Sequence, residues 1–126
     1  MGLSRTAVFS FRLALAAALP VITHIATAPL AYPMLKGIND KAGHLSAFFV
    51  LAFLVDFSFP GSRFGRSKVL ALFGYGLLIE VLQHFLPYRD FSLLDLAADG
   101  AGIALYLLAL PALRHLPVLR RRWRTG

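Results

Sequence analysis

The sequence predicts an all-α membrane protein, a polytopic bundle of four transmembrane helices with both termini in the cytoplasm. The chain has 126 residues, of which 58% are hydrophobic and 15% are charged, and its mean hydropathy is +0.69. Soluble domains are about 45–50% apolar and about 25% charged. This chain therefore lacks the polar residues that would cover a water-soluble globule, which excludes a soluble enzyme domain, a disordered tail and a fibrous repeat. Because it has no cysteine, a disulfide scaffold and a thiolate-bound metal are excluded as well.

Four apolar runs supply the predicted helices, at residues 7–28, 42–59, 69–86 and 93–113. A helix needs roughly 20 residues to cross about 30 Å of hydrocarbon, and each run comes close to that length. None of the runs has the strict alternation of a barrel strand, so we expect helices. The segments that join them are rich in Pro and Gly, which break helices. Ser92 is expected to cap the fourth helix.

The first run has an alternative interpretation as a cleaved signal peptide. Arg5 and Arg12 precede a Leu/Ala run that ends in Ala26-Thr27-Ala28, which resembles a cleavage site. The run is longer than the apolar part of a usual signal peptide and contains Pro20, so we expect a retained helix. Residues 1–126 are then a single membrane domain with a basic cytoplasmic tail at 114–126.

The basic residues predict the orientation. With the N-terminus in the cytoplasm, ten of the thirteen Lys and Arg residues lie on that side, and Lys36, Lys41 and Arg89 lie outside. Basic clusters beside apolar runs are typical of flanks that touch anionic lipid. No nucleic-acid partner is predicted, because no nucleic-acid-binding fold surrounds the arginines at 120–124.

On this topology, polar residues of helices two, three and four meet at one depth on the outer side: Asp40, Lys41 and His44; Glu80, Gln83 and His84; Ser92, Asp95 and Asp99. At 1.5 Å per residue, Glu80 and Asp99 each lie roughly 10 Å below the outer surface. A carboxylate inside a bilayer is costly unless it faces a bundle interior or a wet cavity. Ion pairs that only hold the bundle together are the alternative. The number of such groups at one end favours a functional pocket.

These residues form three motifs: Asp40-Lys41-x-x-His44-x-x-x-Phe48, Glu80-x-x-Gln83, and Arg89-x-x-Ser92-x-x-Asp95-x-x-x-Asp99-x-x-Gly102. In this order they resemble the VanZ-like family of small bacterial membrane proteins, over about residues 40–102. The family usually has Asn where this chain has Asp99, which adds a negative charge here. The resemblance implies the bacterial cytoplasmic membrane and a link to resistance against lipoglycopeptides such as teicoplanin, whose target is a cell-wall precursor on the outer face.

The first functional hypothesis is an outward-facing pocket that binds, and in a catalytic version modifies, an anionic lipid or lipid-linked precursor headgroup. Its predicted ligand-binding residues are Lys41 and Arg89 for phosphate, and Glu80, Gln83, Ser92 and Asp99 for other polar groups. For turnover, His44 is the natural general base because its unperturbed pKa is about 6.5. Asp40 or Asp95 would orient its imidazole. No nucleophile motif is present, so whether the protein is an enzyme stays open.

Three alternatives remain. The carboxylates and histidines could ligate a metal, but their spacing differs from Glu-x-x-His and Lys41 and Arg89 would repel a cation, so no metal and no cofactor is predicted. A small transporter or proton relay would use the same buried groups. An assembly partner would use the small residues of helix four, and a homo-oligomer stays open. At the inner rim, Asp56 is expected to pair with Arg63 or Arg66.

Overall fold

The computed structural model describes residues 2–28, 38–87, 92–117 and 119–123, without the side chains of residues 38–40. Over these residues the chain is all-helical, with no strand. Its long helices are α1 (Arg5–Thr27), α2 (Ile38–Ser58), α3 (Arg66–His84) and α4 (Leu93–Leu113), and a short 3-10 helix follows at Arg120–Trp123. By length and composition, α1, α4 and the Lys41–Ser58 part of α2 can each cross a membrane. The predicted all-α class with four long helices is confirmed, whereas the crossing of the membrane by α3 and the orientation of the bundle stay predictions.

The helix ends follow local chemistry. Ser4 and Ser92 cap α1 and α4, their hydroxyl oxygens accepting hydrogen bonds from the backbone N–H groups of Ala7 and Asp95 at 3.1 and 3.2 Å. Helix α3 begins three residues before the predicted run and includes two basic residues in its first turn, Arg66 and Lys68. Glu80 and Gln83 lie in its C-terminal half.

Helix α2 lies at the centre of the bundle and packs most extensively against α4, with α1 and α3 on its other sides. Buried apolar side chains fill the space between them: Phe48, Leu51, Ala52, Leu72, Ile103, Tyr106 and Leu110. Helix α1 is peripheral and has no buried residue. Polar contacts help to hold it in place. The hydroxyl groups of Thr23 and Tyr75 are hydrogen-bonded at 2.5 Å, and the guanidinium group of Arg12 donates to the carbonyl oxygen of Ser58 at 2.9 Å.

The closest approach of α2 and α4 is at Gly102. A Cβ atom at this position would overlap the carbonyl oxygen of Leu45 and lie 3.0 Å from the backbone nitrogen of Phe49. Small residues let helices in lipid approach this closely. Gly102 therefore sets the spacing of the two helices, one turn beyond Asp99.

A buried ion cluster closes the end of the bundle opposite to the predicted pocket, and here the expected pairing is wrong. Asp56 is fully buried and contacts Lys68 at 3.1 Å and Arg122 at 2.7 Å, not Arg63 or Arg66, which are exposed. Its second carboxylate oxygen accepts a hydrogen bond from Tyr106 at 2.6 Å. Lys68 lies in the first turn of α3 and is buried, so its ammonium group can reach Asp56.

Part of the predicted cytoplasmic tail folds back into this cluster. Arg122 is 5% exposed and donates to the carbonyl oxygens of Asp56, Pro60 and Ser62 at 2.6–3.0 Å. Lys68 donates to the same loop, at Phe59 and Ser62. The two cations thus satisfy carbonyl groups at the end of α2 and in the loop that follows it, where no helical partner exists.

Candidate polar pocket

The candidate site lies where the N-terminal ends of α2 and α4 meet the C-terminal half of α3. Helix α2 contributes Lys41 and His44, α3 contributes Glu80 and Gln83, and α4 contributes Asp95 and Asp99. The structure brings these residues to one end of the bundle. The side chain of Asp40 and the whole of Arg89 lie outside the described residues, so their predicted roles stay predictions.

His44 is the centre of the arrangement. Its Nδ1 lies 2.6 Å from Asp99 Oδ1, within hydrogen-bond distance, and its Nε2 lies 3.7 Å from Asp95 Oδ2. The side chain is 11% exposed, between a fully buried Asp99 and a nearly buried Asp95. We had expected Asp40 or Asp95 to orient this imidazole, and in the structure Asp99 makes the shorter contact.

Lys41 and Asp95 form an ion pair at the rim of the pocket. The Lys41 side chain is 35% exposed, and exposure then falls through His44 to Asp99. The polar groups therefore line a path from the surface into the bundle. Among the described residues of the pocket, the positively charged Lys41 lies at the entrance of this path.

Glu80 joins α3 to the start of α4. Its Oε2 accepts a hydrogen bond from the backbone N–H of Ser92 at 3.0 Å. The residue is fully buried, and within the described part of the chain its Oε1 has no hydrogen-bond partner. The same Ser92 caps α4 with its side chain, so this residue contributes its backbone and its hydroxyl to the geometry of the site. Sequence reasoning identified Ser92 as a cap but could not identify the backbone contact.

Gln83 reaches towards α1. Its Nε2 donates to the carbonyl oxygen of Ala26 at 2.8 Å, while its buried Oε1 accepts no hydrogen bond from any residue in the described ranges. The amide therefore attaches the peripheral helix to α3, a contribution that the sequence did not predict. Two other histidines, His24 and His84, are exposed on α1 and α3.

Between this pocket and the Asp56 cluster, the bundle interior is apolar. Tyr106, which contacts Asp56, is seven residues beyond Asp99 on α4, or about 10 Å along the helix. The space between Asp99 and Tyr106 is filled by buried apolar side chains: Phe48, Leu51, Ala52 and Ile103. Within the described residues, no chain of titratable groups links the two polar ends. Over the described residues, an apolar layer therefore separates the two polar ends of the bundle.

Comparison with known proteins agrees with the resemblance read from the motifs. The sequence profile of the VanZ/LLP1 family matches residues 5–114, which extends the similarity to the first helix. An uncharacterized protein of the fission yeast Schizosaccharomyces pombe is 40% identical over 75 residues, covering 56% of this chain and 46% of the yeast protein. The chain thus spans about half the length of that relative. No solved structure matches the chain at a significant level.

Proposed function

Since the chain belongs to the VanZ/LLP1 family, we propose that its polar pocket binds an anionic lipid headgroup or the phosphate-bearing headgroup of a lipid-linked envelope precursor. The pocket faces the outer leaflet of a bacterial cytoplasmic membrane, and withdrawal or masking of such a precursor accounts for the implied link to lipoglycopeptide resistance. Three helices are long and apolar enough to cross a membrane, which supports a ligand that is itself a component of the lipid bilayer.

The convergence of buried polar side chains from three helices is the observation that carries this proposal. Glu80 and Asp99 are fully buried, although nothing in the packing of a small bundle requires carboxylates there. Polar residues inside membrane proteins are costly and usually serve a function. At the entrance, Lys41 supplies a positive charge that a phosphate can contact.

The ends of the helices also favour an anion at the entrance. Helices α2 and α4 both begin at this end of the bundle. A helix N-terminus carries about half a positive charge and unsatisfied N–H groups, which attract phosphate. The predicted contact of Arg89, in the short segment before α4, would add a second cation at the same level.

Catalysis is a second candidate, and the contact between His44 and Asp99 favours it. A carboxylate bound to one imidazole nitrogen fixes the ring and stabilises its protonated form, so the other nitrogen can take a proton. In this version His44 removes a proton from a headgroup hydroxyl or a water molecule at the entrance. Helix packing alone does not require an imidazole held in this way.

Lipid binding can be tested with the purified full chain in nanodiscs that contain equal amounts of phosphatidylglycerol and phosphatidylcholine. We expect the protein to retain phosphatidylglycerol preferentially on transfer to detergent, as counted by native mass spectrometry. Lys41→Gln should reduce this enrichment about fivefold, since one Lys near an anionic surface contributes about 1 kcal/mol. Lys41→Arg should restore it. A second set of nanodiscs contains polyprenyl phosphate in place of phosphatidylglycerol. Stronger retention of polyprenyl phosphate indicates the carrier of an envelope precursor as the ligand, and stronger retention of phosphatidylglycerol indicates an ordinary lipid headgroup.

The control is Arg63→Gln, which removes an exposed positive charge at the opposite end of the bundle. Equal loss of enrichment in Lys41→Gln and Arg63→Gln would contradict a pocket-specific site. The same spectra separate binding from turnover. A lipid product formed by the wild type and absent with His44→Ala indicates catalysis, whereas unchanged lipid in both indicates binding alone.

A further inference from the structure

Three pocket residues from three different helices form a compact group of potential metal ligands. One ligand atom each from His44, Glu80 and Asp99 can be chosen so that all lie within 4.8 Å of one another. Ligands bound to one zinc-sized cation at about 2.0–2.2 Å are at most about 4.4 Å apart. Only two opposite ligands reach that limit, and ligands arranged tetrahedrally around zinc lie about 3.3–3.6 Å apart. The three side chains must therefore close by up to about 1 Å to share one ion.

The hydrogen bonding of Glu80 independently indicates a missing partner. This residue is fully buried, and Ser92 satisfies only one of its two carboxylate oxygens. The other, Oε1, has no hydrogen-bond partner among the residues that the structure describes. Leaving a buried polar atom unsatisfied costs about 1–3 kcal/mol, and more for a charged group. Such an atom in a native protein usually has a water molecule or an ion beside it.

The charges of the described pocket residues point the same way. Asp95 already faces the ammonium group of Lys41. Glu80 and Asp99 are two further carboxylates, both fully buried. Burial of a carboxylate is unfavourable unless a cation or a proton compensates its charge. The charge of a divalent cation bound here would be balanced by the carboxylates of Glu80 and Asp99, with the imidazole of His44 as a neutral ligand.

The packing around Asp99 leaves room for its second carboxylate oxygen. A Cβ atom at position 76 of α3 would lie 2.7 Å from Asp99 Oδ2, closer than real Cβ contacts. Glycine at this position therefore creates the space that the carboxylate occupies between α3 and α4. The sequence offers two grounds against a metal, the spacing of the ligands within one helix and repulsion by Lys41 and Arg89. The first does not apply here, because each helix supplies a single ligand. The second is reduced because Lys41 pairs with Asp95 at the rim of the pocket.

We propose that His44, Glu80 and Asp99 bind one divalent first-row metal cation, such as Mn²⁺ or Zn²⁺. Imidazole nitrogen and carboxylate oxygen are ligands that suit these ions. Three protein ligands leave coordination positions open. If the proposed function holds, a phosphate oxygen of the headgroup occupies one of them, which explains how a pocket rich in carboxylates accepts an anion. The metal site itself follows from the described residues alone.

Metal binding can be measured on the full chain in detergent after EDTA treatment, by titration with Mn²⁺ or Zn²⁺ alone and elemental analysis of the gel-filtered protein. We expect one equivalent of metal per chain. Glu80→Gln should weaken binding at least tenfold, since even the residues that support metal ligands contribute about 10–100-fold to affinity. The matched pair His44→Gln and His84→Gln separates a ligand from an exposed histidine, and only the first should lose the metal.

Wild-type protein that binds well below one equivalent of either metal would overturn this proposal, whatever the variants do. So would equal binding by wild type, His44→Gln and Glu80→Gln. Glu80→Gln keeps an oxygen that can accept from Ser92, and Trp123 fluorescence checks that each variant is folded. The nanodisc assay with and without EDTA separates the two proposals. A protein that enriches phosphatidylglycerol but binds neither metal overturns the metal site alone, and a protein that binds metal without enriching phosphatidylglycerol overturns the headgroup proposal alone.

Discussion

Asp56→Ala is expected to lower the free energy of unfolding by about 3–5 kcal/mol, because removing one partner of a buried ion pair leaves the other charge uncompensated. In this chain the loss affects two cations at once, Lys68 and Arg122, and also removes the hydrogen-bond acceptor of Tyr106. The unfolding free energy can be measured by denaturant titration in detergent. Trp123, the only tryptophan of the chain, lies 5.5 Å from the ring of Phe57 and reports whether the 3-10 helix is released.

Arg63→Ala and Arg66→Ala are the controls, because the sequence favoured these residues as partners of Asp56. Both are exposed, and surface substitutions usually change stability by less than about 0.5 kcal/mol. Arg122→Ala should instead approach the effect of Asp56→Ala. If Arg63→Ala destabilised the protein as much as Arg122→Ala, the buried cluster would be contradicted.

Gly102→Ala is expected to separate α2 from α4 and to destabilise the bundle by about 1–3 kcal/mol, the usual effect of overpacking. The added methyl group would overlap the backbone of Leu45, which cannot turn aside as a side chain could. Because Leu45 follows His44 and Gly102 is one turn beyond Asp99, the same movement should break the 2.6 Å contact between these two residues. Lipid enrichment and metal affinity should therefore fall together with stability.

Gly74→Ala is the matched control for this substitution. Gly74 is exposed on α3, and a Cβ atom there has open space around it. Alanine in place of an unstrained helical glycine usually stabilises a helix by about 0.5–1 kcal/mol. A loss of stability with Gly74→Ala, or none with Gly102→Ala, would contradict the close packing described for α2 and α4.

The sequence predicts the fold well because its strongest signal is local. Four apolar runs lead directly to four helices, and polar residues near the same end of three of the runs lead to their meeting at one end of the bundle. Helix spacing places Asp95 and Asp99 on one face of α4. Helix spacing alone does not predict which of these two carboxylates contacts His44. That contact depends on how α2 is rotated about its axis and on its distance from α4, which Gly102 partly determines.

The partners of Asp56 could not be predicted for a related reason. Arg122 is 66 positions away in the sequence, and the basic tail is like many flexible cytoplasmic flanks in composition. Only the folded chain shows that one arginine of the tail is buried beneath the bundle. Similarly, the orphaned oxygen of Glu80 depends on where the backbone of Ser92 lies, which no spacing rule specifies.

Cysteine accessibility tests most directly the central claim that the pocket opens to the cell exterior. The chain has no native cysteine, so Gly61→Cys and Pro87→Cys each introduce a single thiol, at exposed positions before and after α3. In intact cells, a membrane-impermeant maleimide should label Pro87→Cys and should label Gly61→Cys only after permeabilisation. Labelling of Gly61→Cys alone in intact cells would place the pocket in the cytoplasm, and labelling of both would show that α3 does not cross the membrane. Either result would contradict recognition of an outer-leaflet headgroup.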